Sequence, residues 1–156
     1  MDDISTRTEP DTDSGLMRGR AAAEERYAEL FEHALLGIVI STPGGTLVAC
    51  NPAFARMLGF ASVEDAIGMK MASMYPDSTD RDRFLQDLRK SQRLEHYRTR
   101  LRRRDGRIIH VITSVAGHFD ANGVLQEIRG YLIDDTASVE AEAALLEREQ
   151  LFRAVF

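Results

Sequence analysis

Apolar positions recur along this chain in two rhythms. Ala23, Tyr27, Leu30, Phe31 and Ala34 fall at gaps of three and four, which predicts an amphipathic helix over residues 21–35, with Gly37 as its stop. Ile38-Val39-Ile40 and Leu47-Val48-Ala49-Cys50 flank Thr42-Pro43-Gly44-Gly45, the pattern of a hairpin. Asn51 is a good helix cap and Pro52 suits a first helical position, so a short helix carrying Phe54, Met57 and Leu58 follows, closed by Gly59. Ser62 can cap one turn through Ala66, Gly68 interrupts, and Asp77 or Asp80 starts a longer helix to about Ser91 with Phe84, Leu85 and Leu88 inward.

The rhythm then changes to two. Tyr97, Thr99 and Leu101 share one face of a strand over 97–104, and Arg98, Arg100 and Arg102 share the other. Asp105-Gly106 is a hairpin signal, and residues 107–119 place Ile109, Val111, Thr113 and Val115 on one face. Asp120-Ala121-Asn122-Gly123 turns the chain into a last strand over 124–133. Ala141, Leu145, Phe152 and Val155 then restore helical spacing, with Arg148 in one inner position, which suggests a short coiled-coil seam. Strands in hairpins with helices between them predict an α+β fold on an antiparallel sheet.

Composition narrows the function classes. The chain has 156 residues, 44% of them apolar, enough for one sizeable core. Its 20 basic and 25 acidic side chains leave a net charge of −5, which disfavours nucleic acid as a partner. The single cysteine, Cys50, excludes an internal disulfide or a multi-cysteine zinc site. No apolar run approaches the roughly 20 residues of a membrane span, and Met1-Asp2-Asp3-Ile4 does not open a secretory signal, so a cytoplasmic setting is expected. Residues 1–20 hold only Met1, Ile4, Leu16 and Met17 as large apolar groups, which predicts a disordered tail.

Four pieces carry a family likeness. They are Asn51-Pro52-Ala53-Phe54, Tyr75-Pro76-Asp77, Leu101-Arg102-Arg103-Arg104-Asp105-Gly106 and Gly130-Tyr131-Leu132-Ile133-Asp134-Asp135-Thr136. In this order and spacing they resemble the PAS domain, a sensory and interaction module, over residues 24–136. The resemblance implies a five-stranded antiparallel sheet with helices on one face and amphipathic helices at both ends. It divides the chain into a tail (1–20), a PAS sensor domain with its flanking helix (21–136) and a linker or signalling helix (137–156). Asp135 stands where the family usually has an aliphatic residue, and Thr42 where it often has Asp. A second carboxylate at the start of the exit helix suits the helix dipole. Glu24-Glu25-Arg26-Tyr27-Ala28-Glu29-Leu30-Phe31 also resembles Glu149-Gln150-Leu151-Phe152-Arg153-Ala154-Val155-Phe156, at an offset of 125 residues. A second PAS-like module is therefore expected after this one.

Candidate chemistry is sparse. There is no phosphate loop, nucleophile elbow or His-Glu zinc helix, and His33, His96, His110 and His118 are scattered, so this segment is not expected to be an enzyme. Haem-binding relatives use a histidine on the long helix, and residues 77–91 have none. Photoactive flavin relatives carry a cysteine on the short helices, whereas Cys50 precedes them, so haem and photoactive flavin are both disfavoured. Met57, Met69, Met71 and Met74 lie within 18 residues. In the family fold this stretch flanks the interior cavity, so these methionines, opposed by Ile109, Val111 and Thr113, are pocket candidates for an apolar acyl-type ligand or plain core filler. Six arginines against one aspartate over 98–107 read as a solvated strand face that discourages aggregation. The resemblance further implies a homodimer formed through the flanking helices, with Tyr27, Leu30, Phe31, Asp134, Thr136, Ala141 and Leu145 as dimer and relay residues. It also implies a two-component output domain downstream, a histidine kinase or a diguanylate cyclase.

Overall fold

The computed structural model describes residues 12–156. The chain runs α1 (Thr12–His33), β1 (Gly37–Ser41), β2 (Leu47–Cys50), α2 (Pro52–Met57), α3 (Val63–Ala66), a 3₁₀ turn (Met71–Met74), α4 (Ser78–Ser91), β3 (Arg93–Arg102), β4 (Ile108–Phe119), β5 (Leu125–Asp134) and α5 (Thr136–Val155). The five strands form one sheet in the order β2-β1-β5-β4-β3, with every pairing antiparallel. Chain-adjacent β1 and β2 make one hairpin, and β3, β4 and β5 a meander. The long helical excursion between them lets β5 close beside β1.

Alternation decides which face is covered. Ile109, Val111, Thr113 and Val115 of β4 are buried, and the residues between them are only partly so. β1 repeats the pattern, with Val39 buried between half-exposed Ile38 and Ile40. The buried side receives α2, the 3₁₀ turn and α4. Phe54, Leu58, Leu47, Leu101, Ile109 and Val111 centre a main core, and Phe84, Leu88, Val115, Leu125 and Ile128 form a second one under α4.

Three local expectations are corrected. The first helix begins at Thr12, not near residue 21. The former tail from Asp13 to Arg20 is helical and almost wholly exposed. Once residues 21–33 are helical, each added turn avoids the cost of a new nucleus, so propagation outruns the polar composition. The remainder of the expected tail, residues 1–11, lies outside the described residues. Second, β3 starts at Arg93, ahead of the expected Tyr97. Its register shifts between Leu94 and Tyr97, and His96 takes a φ of +52° there, so the alternation is broken and the strand's first half is hidden from a period-two reading. Third, the inner face of α4 includes Arg81 beside Phe84 and Leu88, with Leu85 only half-buried.

Candidate functional site

The methionine segment is assembled by caps and turns. Asn51, fully buried, accepts through Oδ1 from Phe54 N (3.0 Å) and Ile38 N (2.8 Å), and donates from Nδ2 to Leu36 O (2.8 Å). One side chain thus starts α2 and fastens it to the beginning of β1. Beyond α3, Leu47 N donates to Met69 O (2.9 Å) and Met71 N to Gly45 O (2.6 Å), which stitches the methionines to the β1–β2 hairpin.

Met71 and Met74 are buried, Met57 and Met69 are half-buried, and all four join one core cluster with Ile109 and Val111. Thr113 is buried further along β4 and donates its hydroxyl to Tyr131 O (3.0 Å). The seven pocket candidates therefore lie on the covered side of the sheet, packed against their neighbours. Met57 Cε, for example, lies 3.3 Å from where a Cβ on Gly37 would stand. A cleft of about 530 Å³ lies on the opposite side of the sheet. Ile38, Ile40, His96, Ser114 and Tyr131 line it, with Tyr27 from α1. None of the seven candidates borders this cleft, while Tyr27, an expected dimer residue, does.

Cys50 lies inside the main core, and burial, with a smaller contribution from Glu64, pushes its thiol up to about 11. It is a packed, unreactive group. Burial also raises the Tyr75 phenol, and the neighbouring Arg81 guanidinium pulls it partly back. Arg81 is the residue that sequence reading missed. Its carbon Cζ sits 5.6 Å from the Tyr75 ring and 5.4 Å from the Phe84 ring, although the side chain is charged and only 7% exposed. A charge in a helical stretch normally reads as surface, so periodicity gave no signal for it.

The relay residues split into a latch and a seam. Thr136 N donates to Asp134 Oδ1 (3.0 Å), and Thr136 Oγ1 lies 2.5 Å from the same oxygen. His110 N donates to Thr136 Oγ1 (2.9 Å), and Asp135 N donates to His110 O (2.8 Å). The Asp-x-Thr exit is therefore a buckle that ties the start of α5 to the beginning of β4. Arg107 Nη2, 3.8 Å from Glu140 Oε1, adds an exposed contact one turn on. Ala141 and Leu145 are exposed, as are Tyr27 and Leu30 of α1, while Phe31 is half-buried.

The arginine run lies on β3, one of the two edge strands, and on the turn after it. Arg98, Arg100 and Arg102 face solvent. Arg103 pairs with Asp105 (3.3 Å) and Arg104 lies over the Phe60 ring (5.3 Å). Among the described residues there is no group of three or more His, Cys, Asp or Glu side chains placed to hold a metal ion, and no helix long and apolar enough to cross a membrane.

A family model described as "PAS domain" matches residues 35–137. No curated protein matches the chain. Among solved structures, a PAS domain from Colwellia psychrerythraea is similar at 19% identity and a TM-score of 0.64, covering 74% of this chain and 98% of that one. A sensory box histidine kinase/response regulator from Burkholderia thailandensis reaches 21% and 0.64, covering 82% and 98%. An RNA-binding light-oxygen-voltage receptor reaches 20% and 0.63, covering 97% of this chain and 42% of that one. With the sheet order, the buried helical face and the Asp-x-Thr buckle already in place, the match over most of the length makes this chain a member of the PAS domain family.

Proposed function

We propose that this PAS domain is a dimerising sensor and relay module of a cytoplasmic signal-transduction protein. In this reading it passes a packing change from its methionine-rich core to α5, and through α5 to a second PAS module and a kinase or cyclase output. One observation carries the reading. His110 lies between core residues Ile109 and Val111, and its backbone groups hold both Asp135 and Thr136 at the root of α5. Methionines are the pliant part of that core, so an acyl-type ligand wedged among them, or a strain arriving through α1, displaces β4 and pulls on the buckle. The flanking helices supply the pairing surface: Leu30 is 73% exposed and Leu145 68%, and Tyr27, Phe152 and Val155 are exposed on the same two helices.

The seam is weak by design of its sequence, with small Ala141 and polar Arg148 among its inner positions. A switch needs two packings that differ by only a few kcal/mol, and a strong zipper would lock one of them. Sedimentation velocity tests the pairing. Leu30→Asp and Leu145→Asp are each expected to shift a concentration-dependent dimer toward monomer by at least tenfold in dissociation constant. Unchanged sedimentation of both variants rejects the helical seam.

A further inference from the structure

The two ends of the sheet are finished differently. β2 ends one side with four residues, and the segment after α3 covers its free edge: Leu47 N donates to Met69 O (2.9 Å), Gly68 N donates to Leu47 O (2.8 Å), and Thr46 bridges to Lys70. β3 ends the other side with ten residues, and no strand lies beyond it. From Tyr97 to Arg102 it follows β4 without a break in register, over about 20 Å. Among the described residues, no turn, loop or side chain hydrogen-bonds the backbone of residues 97–102. Every second residue of that stretch therefore turns an unpaired N–H and C=O outward.

The side chains along this edge alternate too. Arg98, Arg100 and Arg102 are exposed on one face, while Tyr97, Thr99 and Leu101 turn to the covered one. None of the three arginines is in an ion pair among the described residues. Asp77 senses Arg100, but hydrogen bonds from Thr79 supply the main pull on that carboxyl. A second copy cannot use this edge, because antiparallel pairing of β3 with β3 sets arginine against arginine. A nucleic acid would neutralise the arginines and leave the outward backbone groups unanswered, and none of the arginines' neighbours on their own face of 97–102 is an aromatic for bases to stack on. An extended acidic chain answers the charges and the backbone together.

We propose that the outer edge of β3 is the docking site for an extended acidic segment of a partner protein, which adds one more strand to the sheet. Carboxylates at alternate positions stand opposite Arg98, Arg100 and Arg102, and the side chains between them, small or apolar, lie toward Tyr97 and Thr99. Directly opposed side chains on one face of a sheet are about 5 Å apart at Cβ, within reach of an arginine–carboxylate pair. Backbone bonds supply the affinity and the arginines select the partner. This surface goes beyond the relay reading and stands without it, because it lies on the sheet edge and its occupancy can be measured whether or not α5 pairs.

The test follows the amide NMR spectrum of the whole chain against a capped peptide, Thr-Glu-Val-Glu-Val-Glu-Thr. Saturable binding is expected, with slowed hydrogen exchange at alternate amides of residues 97–102. The peptide with lysine at each glutamate is expected to bind about tenfold more weakly. The peptide with proline at each valine keeps the charge but cannot pair as a strand, and is expected not to bind. Arg98→Glu/Arg100→Glu is expected to reverse the preference and take the lysine peptide over the glutamate one. Should that variant lose its dispersed spectrum, Arg98→Gln/Arg100→Gln is expected to bind the glutamate peptide about tenfold more weakly than the native chain. No saturable binding, equal binding of the proline peptide, an unreversed preference in the glutamate variant, or unweakened binding in the glutamine variant each overturns the proposal. Binding of an oligouridylate without binding of the glutamate peptide also overturns it and assigns the arginines to nucleic acid.

Discussion

Single residues show how polar groups are made to serve a buried position. Asn51 has no exposure, yet it satisfies two backbone donors and one acceptor that would otherwise be orphaned where β1, α2 and the α1–β1 link meet. Asn51→Ala is expected to cost about 3 kcal/mol in urea unfolding, more than an ordinary cap, because the Ile38 N–H and Leu36 carbonyl, both in part-buried hydrogen bonds, lose their partner as well. Cys50 illustrates burial acting on chemistry. Its thiol titrates near 11 against an ordinary 9.0, so at pH 8 the folded protein is expected to react with iodoacetamide about 100-fold more slowly than the urea-unfolded chain. The sign for stability follows from the neutral form being favoured on folding: the contribution is complete below pH 9.0 and is lost as pH rises toward 11. Asn51 was legible as a cap from the Asn-Pro pair alone. Arg81 was not legible, since only the folded arrangement of Tyr75, Phe84 and Gly45 makes a buried place for a charge.

At the scale of elements, strand contacts decide what a motif means. Gly130 looks like one more residue of the closing strand, but a Cβ there would stand 2.3 Å from Val115 Cγ1 and 2.9 Å from Ser114 O. Gly130→Ala is therefore expected to destabilise the sheet by about 2 kcal/mol in a denaturant melt, with the β4–β5 amides losing the most hydrogen-exchange protection. The exit motif behaves similarly. Thr136→Val preserves shape but leaves His110 N–H without its acceptor, so a loss of about 1 kcal/mol is expected, with faster exchange confined to the first turn of α5 and the beginning of β4. The helical and strand rhythms located nearly every element because each has one clean apolar face. β3 escaped over its first residues because the shift at Leu94–Tyr97 moves side chains to the other face. The N-terminal extension of α1 escaped because Asp13–Arg20 has no apolar face that packing could have required.

The whole molecule separates into a folded body and two helical arms. Beyond Val139 every residue of α5 is exposed, so the arm adds nothing to either core. Removing residues 141–156 is expected to leave the melting temperature of the body within about 2 °C at low protein concentration, while abolishing any dimer seen by sedimentation. A large loss of stability in that truncated chain would show that the arm supports the body itself.

What the amino-acid order determined by itself was local and periodic: five strands, the capped helices, the turns at Gly45, Gly106 and Gly123, and a family likeness spread over four short motifs. These depend on backbone geometry and on the spacing of apolar side chains, which act between near neighbours. Tertiary structure alone decided that a cleft opens on the side of the sheet away from the methionines, and that His110 meets Thr136 across 26 residues of chain. It also decided that a charged side chain, Arg81, turns inward. Those outcomes arise from long-range packing and from the field inside a water-excluding core, neither of which is written at any one position.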